Sequence, residues 1–235
     1  MSERAALGAR LLEAVRVMDR LRSPGGCPWD AEQTHSSLAP YLLEEAYETL
    51  EAIENADLIA LREELGDLLL QVLFHARLAE EADPAHRFGI DEVAGDLVGK
   101  LTRRHPHVFA DVTADSAEQV ASNWEDIKRA EKRRQSATDG IPLGQPALSL
   151  AAKLVSRSGR AGLDVPLPAG TGIGERLLAV VADAVRAGVD PELALRETAR
   201  SYRTAIRERE RADGPERERT EGPERERADG RPAAG

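Results

Sequence analysis

Residues Leu38 to Glu81 carry the strongest pattern in this chain: LAPYLLEEAYETLEAIENADLIALREELGDLLLQVLFHARLAEE. Apolar residues recur in this segment with the period of an α-helix. In its first half, four of them share one face of a helical wheel: Leu42, Ala46, Leu50 and Ile53. The segment therefore predicts two consecutive helices, at Leu38–Ile53 and Leu58–Glu81.

The second of these helices is apolar nearly all round. Beyond its core stripe it carries further large apolar residues on its other faces: Leu69, Leu70, Leu73 and Phe74. A helix of this kind is typically buried, and an apolar surface of this size favours cover by a second subunit. A second subunit is therefore one candidate for the surface that buries this helix.

Four acidic residues interrupt this apolar pair of helices. Glu45 and Glu48 are three residues apart, a spacing at which like charges destabilise an isolated helix. Glu64 and Asp67 repeat that spacing on the second helix, where burying unpaired carboxylates is costly. A divalent cation such as Mg²⁺ would resolve both problems, because it prefers oxygen ligands and is often shared with substrate phosphates. From the residues alone, a metal site and a solvated acidic surface stay open as alternatives.

The remaining pattern predicts an all-α protein. Helical periodicity indicates further helices at Ala6–Leu21, Ile90–Arg104 and Ala117–Arg133, separated by breaker segments such as SPGGCP and HPH. Aromatic residues make up only 3% of the chain, and the abundant Leu, Ala, Glu and Arg favour helix over strand. We predict a bundle of four to five helices over residues 1–135.

The C-terminal part of the chain has a weaker helical pattern and then none. Helices are predicted at Pro146–Gly159 and Gly172–Glu210, so residues 136–210 form a second, reduced helical region. From Arg211 to Gly235 the sequence repeats Pro-Glu-Arg-Glu-Arg and contains no large apolar residue. Such a segment cannot offset its ordering entropy, so residues 211–235 are predicted to be a disordered charged tail.

Composition excludes several classes of protein. A net charge of −10 argues against binding duplex nucleic acid, which needs a concentrated basic surface. Cys27 is the single cysteine, so no intrachain disulfide can form and a reducing compartment is favoured. No secretory leader is apparent, and no segment approaches the roughly 20 apolar residues of a membrane span. We therefore expect a cytoplasmic protein that does not bind membranes.

Five motifs, in order, resemble the MazG family: GGCPWDAEQTH, LLEEAYE, EELGDLLLQVLFHA, KLTRRHPHVF and WEDIKRAEK. The resemblance covers about residues 8–135 and implies a helical, homo-oligomeric nucleoside triphosphate pyrophosphohydrolase. Such an enzyme converts an NTP or dNTP and water to the monophosphate and pyrophosphate. The resemblance implies that Mg²⁺, with Mn²⁺ as a substitute, is held by the four acidic residues already named, Glu45, Glu48, Glu64 and Asp67. Glu44 is a candidate for the base that accepts a proton from the attacking water.

Substrate contacts are expected from basic and aromatic residues. Positive charge must meet the phosphates, and the W..IK element resembles a nucleotide-contacting motif, although its Trp could equally anchor the core. The histidines at 35, 75, 105 and 107 are not spaced as a transition-metal site and are predicted to cap or pack. The candidate substrate-binding residues are Trp29, Gln33, Lys100, Arg103, Arg104, Trp124 and Lys128.

The second helical region resembles a degenerate copy of the same domain. ALSLAAKLVSRSGRAGLDVP resembles its opening, but the helix with EExxE is missing and ExxD has become Gly172-Ile173-Gly174-Glu175. We therefore expect a packing or dimerisation element there without a second metal site. The predicted function is house-cleaning of the nucleotide pool. The alternative is a catalytically weak nucleotide-binding or regulatory module that acts through protein partners, while CPWD, QTH and RRHPHVF argue against a narrower dUTP or dCTP pyrophosphatase.

Overall fold

The computed structural model describes residues 7–110, 112–113, 116, 119–120, 123–124, 127, 131 and 135–220, with the side chains of 213–220 excepted. Within these residues the secondary structure is helical and contains no strand, which confirms the predicted all-α class. The chain divides into two units, Met1–Lys128 and Arg129–Gly235. The helices are α1 Ala9–Arg22, α2 Pro28–Glu32, α3 His35–Glu54, α4 Leu58–Ala79, α5 Ile90–Arg104, α6 Pro106–Phe109, α7 Ala147–Arg160, α8 Ile173–Arg186 and α9 Pro191–Thr220.

Helix α3 begins three residues earlier than predicted, because a reciprocal cap starts it. The Ser37 backbone N–H donates to Thr34 Oγ1 at 3.1 Å, and the Thr34 backbone N–H donates to Ser37 Oγ at 2.9 Å. Two N–H groups that a helix start leaves without partners are satisfied in this way. The helix therefore begins at His35 and continues through Pro40 to Glu54.

A three-residue connection joins α3 to α4. Asn55 ends α3, Ala56 adopts a left-handed conformation with φ of 53°, and Asp57 caps α4. The Asp57 carboxylate accepts hydrogen bonds from the backbone N–H groups of Ile59 and Ala60 at 2.9 and 3.1 Å. So short a connection makes α3 and α4 an antiparallel hairpin. The core of the first unit lies on this hairpin and α1, and its buried members are Met18, Leu38, Leu73, Phe74 and Leu78.

Arginine side chains tie α1 and α2 to the end of α4. The Arg22 guanidinium donates to both carboxylate oxygens of Glu81 at 2.8 and 2.9 Å and also to the backbone carbonyl of Asp30. Arg77 donates to Asp19 on α1 at 2.8 Å. The hydrogen bond from Arg22 holds the pKa of Glu81 below its ordinary value. These pairs fix the position of α2, a short helix that the sequence pattern did not predict.

Helix α5 has the bounds that the sequence predicts, Ile90–Arg104. Glu92 accepts a hydrogen bond from the Gly89 backbone N–H at 2.8 Å at its start, and a short helix that begins at Pro106 follows it. The helix predicted over Ala117–Arg133 falls largely outside the described residues. Those described within it, 119–120, 123–124, 127 and 131, are helical.

The helical stretch predicted over Gly172–Glu210 forms two helices, α8 and α9, in the second unit. Gly188 has φ of +70° and ends α8, and Pro191 begins α9. Glycine accepts this left-handed conformation, and proline is favoured in the first turn of a helix. Helix α9 then continues to Thr220, beyond the predicted start of the tail at Arg211, because Arg and Glu are strong helix formers. Residues 221–235 lie outside the described part of the chain.

A helix that spans a membrane must be long and predominantly apolar. None of the described helices combines sufficient length with sufficient apolarity to cross a bilayer.

Candidate metal and nucleotide site

The α3–α4 hairpin brings three of the predicted metal-binding residues together. Glu45 and Glu48 on α3 and Glu64 on α4 each offer a carboxylate oxygen, and these oxygens all lie within 4.8 Å of one another. Asp67 follows Glu64 by one turn of α4, and its negative charge is the strongest charged influence on Glu45. We call these four residues the carboxylate cluster.

The cluster is electrostatically strained. Burial raises the pKa of Glu45, and the charges of Asp67, Glu48, Glu64 and Glu44 raise it further. Burial likewise raises the pKa of Glu64, with contributions from Glu48, Asp67 and Glu63. Mutual repulsion and partial desolvation therefore both disfavour the fully ionised cluster. Closely spaced, partly desolvated carboxylate oxygens are suitable ligands for a hard divalent cation, whose positive charge would offset their mutual repulsion.

Glu44 stands beside the cluster without belonging to its three-residue core. Its side chain is exposed, and of the charges that act on Glu45 it has the smallest effect. It is therefore an acidic group near the cluster whose oxygens are not among the converging ones. Its role as a base stays a prediction.

Three predicted phosphate-binding residues line one groove. Lys100, Arg103 and Arg104 on α5 share a groove of about 840 Å³ with Val72 of α4 and Phe88. Its volume is within the range of about 300–1,000 Å³ typical of small-molecule sites. Glu92 and Asp96 also line it, so the groove carries both charges rather than a purely basic surface.

Arg104 and Trp124 form a pair. The Arg104 guanidinium carbon lies 5.0 Å from the centroid of the Trp124 ring, and Arg104 is only 7% exposed. This is the geometry of a cation–π contact. It assigns both side chains a packing role within the first unit, and a nucleotide contact by either of them stays a prediction. Lys128 lies outside the described residues.

Trp29 and Gln33 lie at the junction of α2 and α3. Trp29 is 50% exposed and meets the rings of Tyr41 and Phe74 edge-on, with centroids 6.1 and 6.4 Å away. The Gln33 amide donates to the Trp29 carbonyl at 3.0 Å and accepts from the Ser37 hydroxyl at 2.7 Å. Gln33 therefore positions the segment that carries Trp29, whose exposed part is available to a ligand.

The candidate residues predicted from the sequence do not include two polar side chains next to the cluster. Thr49 and Gln71 lie one helical turn after Glu45 and Asp67, respectively, and are 7% and 5% exposed. Thr49 Oγ1 and Gln71 Oε1 are enclosed and make no hydrogen bond within the described part of the chain. The repeated step of four residues was a signal that could have found them.

Comparison with known proteins gives a consistent set of relatives. Residues 33–109 match the family model described as MazG nucleotide pyrophosphohydrolase domain. An uncharacterised 26.1 kDa protein from the blaB 3′ region of Streptomyces cacaoi is 55% identical over 86% of this chain and 84% of its own length. The nucleoside triphosphate pyrophosphohydrolase/pyrophosphatase MazG of Thermotoga maritima is 40% identical over 81% of each chain.

A longer relative matches only in part. The nucleoside triphosphate pyrophosphohydrolase of Mycolicibacterium smegmatis is 47% identical over 87% of this chain. The match spans 60% of the mycobacterial protein's length. The chain therefore resembles a part of that enzyme rather than the whole of it.

Proposed function

This chain belongs to the MazG family, and on that premise we propose that it hydrolyses nucleoside triphosphates to the monophosphate and pyrophosphate. The reaction class is hydrolysis of a phosphoric anhydride. The observation that carries the proposal is the convergence of Glu45, Glu48 and Glu64 within 4.8 Å, with the Asp67 charge beside them. Canonical or damaged nucleotides of the cytoplasmic pool are the proposed substrates, and Mg²⁺ is the proposed cation.

The carboxylate cluster would hold the cation. When bound, Mg²⁺ supplies positive charge to the phosphate oxygens and acidifies a water molecule. Glu45 and Glu64, whose pKa values are raised in the free protein, would be held in their ionised form by such a cation. Their repulsion in the free protein, which a bound cation would relieve, supports a role in cation binding.

Other side chains would bind and orient the nucleotide. Lys100 and Arg103, both exposed in the groove along α5, can donate charged hydrogen bonds to phosphate oxygens. The exposed part of Trp29 offers an aromatic face for the base. Glu44, the neighbour of Glu45 in the sequence, is the proposed acceptor of the proton of an attacking water.

The outward faces of α3 and α4 support a homodimer. Large apolar side chains on these two helices are exposed in the single chain, namely Leu42, Leu43, Leu65, Leu69, Leu70 and Val72. An exposed apolar surface of this kind is rare in a monomer and marks an interaction site. We propose that a second copy covers it. Light scattering coupled to gel filtration tests this, and a single-chain mass at micromolar concentration would contradict it.

A weakly catalytic nucleotide-binding module is the second candidate. It is favoured by one observation: within the described residues, the single group of converging carboxylates lies in the first unit, and the second unit has none. The two candidates differ in turnover. An enzyme releases pyrophosphate with Mg²⁺ from at least one member of a panel of canonical, oxidised and deaminated NTPs and dNTPs. A binding module binds the nucleotide but releases no pyrophosphate.

The decisive experiment combines that panel with one variant and its matched control. Glu48→Gln removes a charge from the carboxylate cluster, whereas Glu51→Gln makes the same change at an exposed position later on α3. We expect Glu48→Gln to lower the rate of pyrophosphate release at least about tenfold. Mutation of a residue that only supports a metal ligand already lowers metal affinity or activity by about 10–100-fold, and loss of a ligand should cost no less. Glu51→Gln should match the wild type. Equal rates for all three proteins would reject the assignment.

A further inference from the structure

A line of polar side chains continues along α4 from the carboxylate cluster into the core. Gln71 and His75 follow Asp67 at successive steps of four residues, which places neighbouring side chains one turn apart on one helix face. The same stretch of α4 carries the buried apolar residues Leu73 and Phe74, which belong to one core cluster with Leu38. Along the polar line Gln71 is buried, whereas Asp67 and His75 are half-buried.

Two atoms in this line lack partners. Gln71 is 5% exposed, and its Oε1 is enclosed without a hydrogen bond within the described residues. The same holds for Nε2 of His75, one turn further along. Enclosed polar atoms are normally satisfied by protein groups or by an internal water. Two such atoms on adjacent turns of one helix are suitable partners for the same water molecule.

The far end of the line is closed by a second histidine. Nδ1 of His75 lies 2.7 Å from Nδ1 of His35, the first residue of α3. The two rings are parallel to within 1° and their centroids are 5.0 Å apart. Parallel rings with nitrogens this close cannot be stacked face to face, since their planes would be nearer than van der Waals contact. They meet edge to edge and share one Nδ1 proton.

This pairing leaves the other nitrogen of His75 free to bind water. Burial and the neighbouring His35 lower the pKa of His75, so the ring is neutral near pH 7. A neutral ring that uses Nδ1 for His35 presents Nε2 as either donor or acceptor. Water can meet either requirement at Nε2 while it donates to Gln71 Oε1.

We propose that Gln71 and His75 enclose an internal water, and that Gln71, one turn of α4 from Asp67, is a positioning residue for the carboxylate cluster. This inference rests on the proposed function insofar as the cluster binds Mg²⁺. Thr49 supports it, because it stands one turn from Glu45 on α3 and its Oγ1 is likewise enclosed without a partner. Enclosed polar atoms thus flank the cluster on both helices.

The first test locates the water itself. A crystal structure at high resolution should show ordered density within hydrogen-bond distance of both Gln71 Oε1 and His75 Nε2. Dry, continuous packing between these two atoms would overturn the inference. This measurement does not depend on catalysis or on a bound cation.

The second test separates positioning from packing. Gln71→Leu and the equally long Gln71→Met remove the acceptor but keep most of the volume, so the unfolding midpoint should fall only slightly, by the loss of one hydrogen bond to the enclosed water. The affinity for Mg²⁺ measured by calorimetry should fall about 10–100-fold, as for other lost partners of metal ligands. In kinetics, kcat should fall while KM for the nucleotide stays within about twofold of the wild type.

The control is the same chemical change in the second unit. The Gln145 side-chain amide donates to the Pro142 carbonyl at 2.9 Å within the second unit, and Gln145→Leu should leave Mg²⁺ affinity and kcat unchanged. Unaltered Mg²⁺ affinity in both Gln71 variants would refute the positioning role. If the wild type binds Mg²⁺ but releases no pyrophosphate, while Gln71→Leu still binds Mg²⁺ more weakly, the proposed function fails and this inference stands.

Discussion

Individual titratable side chains make the stability of the folded protein depend on pH in opposite directions. In the folded state the pKa values of Glu45 and Glu64 are raised above 4.5, so their contribution is greatest below pH 4.5 and is lost as pH rises through the raised values. The pKa of His75 is lowered below 6.5, so its contribution is present above pH 6.5 and is lost as pH falls. Near neutral pH the free protein therefore bears the repulsion of its carboxylate cluster.

The first prediction concerns that repulsion. Glu45→Gln should raise the unfolding temperature of the metal-free protein at pH 7, because it removes one of the repelling charges. Mg²⁺ at 100 times its Kd should stabilise the wild type by about 2.7 kcal/mol, or roughly 5–10 °C, and should have little effect on the variant. Scanning calorimetry with and without Mg²⁺ measures both effects. A variant less stable than the wild type without metal would contradict the prediction.

The second prediction concerns the backbone between α3 and α4. Ala56 has φ of 53°, a left-handed conformation that an alanine adopts at a cost of about 1–2 kcal/mol. Ala56→Gly should remove this cost. Because glycine loses more backbone entropy on folding than alanine does, part of the gain is cancelled, and the net stabilisation should be about 0.5–1 kcal/mol. Urea unfolding gives the value. An unchanged or lower midpoint would show that the connection relaxes in solution.

Among the elements, sequence predicts those whose ends carry local signals. Helix α5 was predicted with its observed bounds, because Glu92 caps its start and Pro106 follows its end. Helix α2 was missed, because its Pro- and Gly-rich surroundings indicate only a loop. The helical pattern over Gly172–Glu210 did not place the break between its helices at Gly188, since apolar residues keep their helical spacing across it. In each failure the tertiary position of a turn, rather than local propensity, set the boundary.

The third prediction tests the turn between α1 and α2. The Cys27 backbone N–H donates a hydrogen bond to the Leu21 carbonyl at 2.7 Å, so the turn lies directly against the last carbonyls of α1. A Cβ added at Gly26 would overlap the backbone oxygens of Leu21 and Arg20. Gly26→Ala should therefore destabilise the protein by about 1–3 kcal/mol or more, measured by urea unfolding. Gly144→Ala, whose Cβ meets nothing within 4 Å, is the matched control and should leave stability nearly unchanged.

In the whole molecule, the carboxylate cluster and the second helical region belong to different units. All four carboxylates of the cluster lie on α3 and α4, within the unit Met1–Lys128. The sequence predicted which residues carry charge and on which helices, and the hairpin brings three of them together as expected. The sequence also places Gln71 on a polar line with Glu64 and Asp67 and predicts a capping or packing role for His75. It does not show that single atoms of these side chains are enclosed, because periodicity indicates burial for a helix face and not for an atom.

The fourth prediction uses this division. Truncation after Arg134 should leave Mg²⁺ affinity within about threefold of the full chain, because the carboxylate cluster and the helices that carry it, α3 and α4, are retained. We expect the truncation to lower thermal stability more than it alters the metal site. Calorimetric titration of the folded, truncated protein measures the affinity. A folded product that no longer binds Mg²⁺ would show that the second unit contributes to the site.

The two tryptophans of this chain give it a built-in optical readout. Trp29 is half exposed against Tyr41 and Phe74 beside the hairpin, whereas Trp124 is covered by the Arg104 guanidinium. Their fluorescence should therefore respond to different events, and Trp29→Phe and Trp124→Phe would separate the two emissions. Nucleotide arrival at the α2–α3 junction could then be followed in real time by stopped-flow mixing, without attaching a dye.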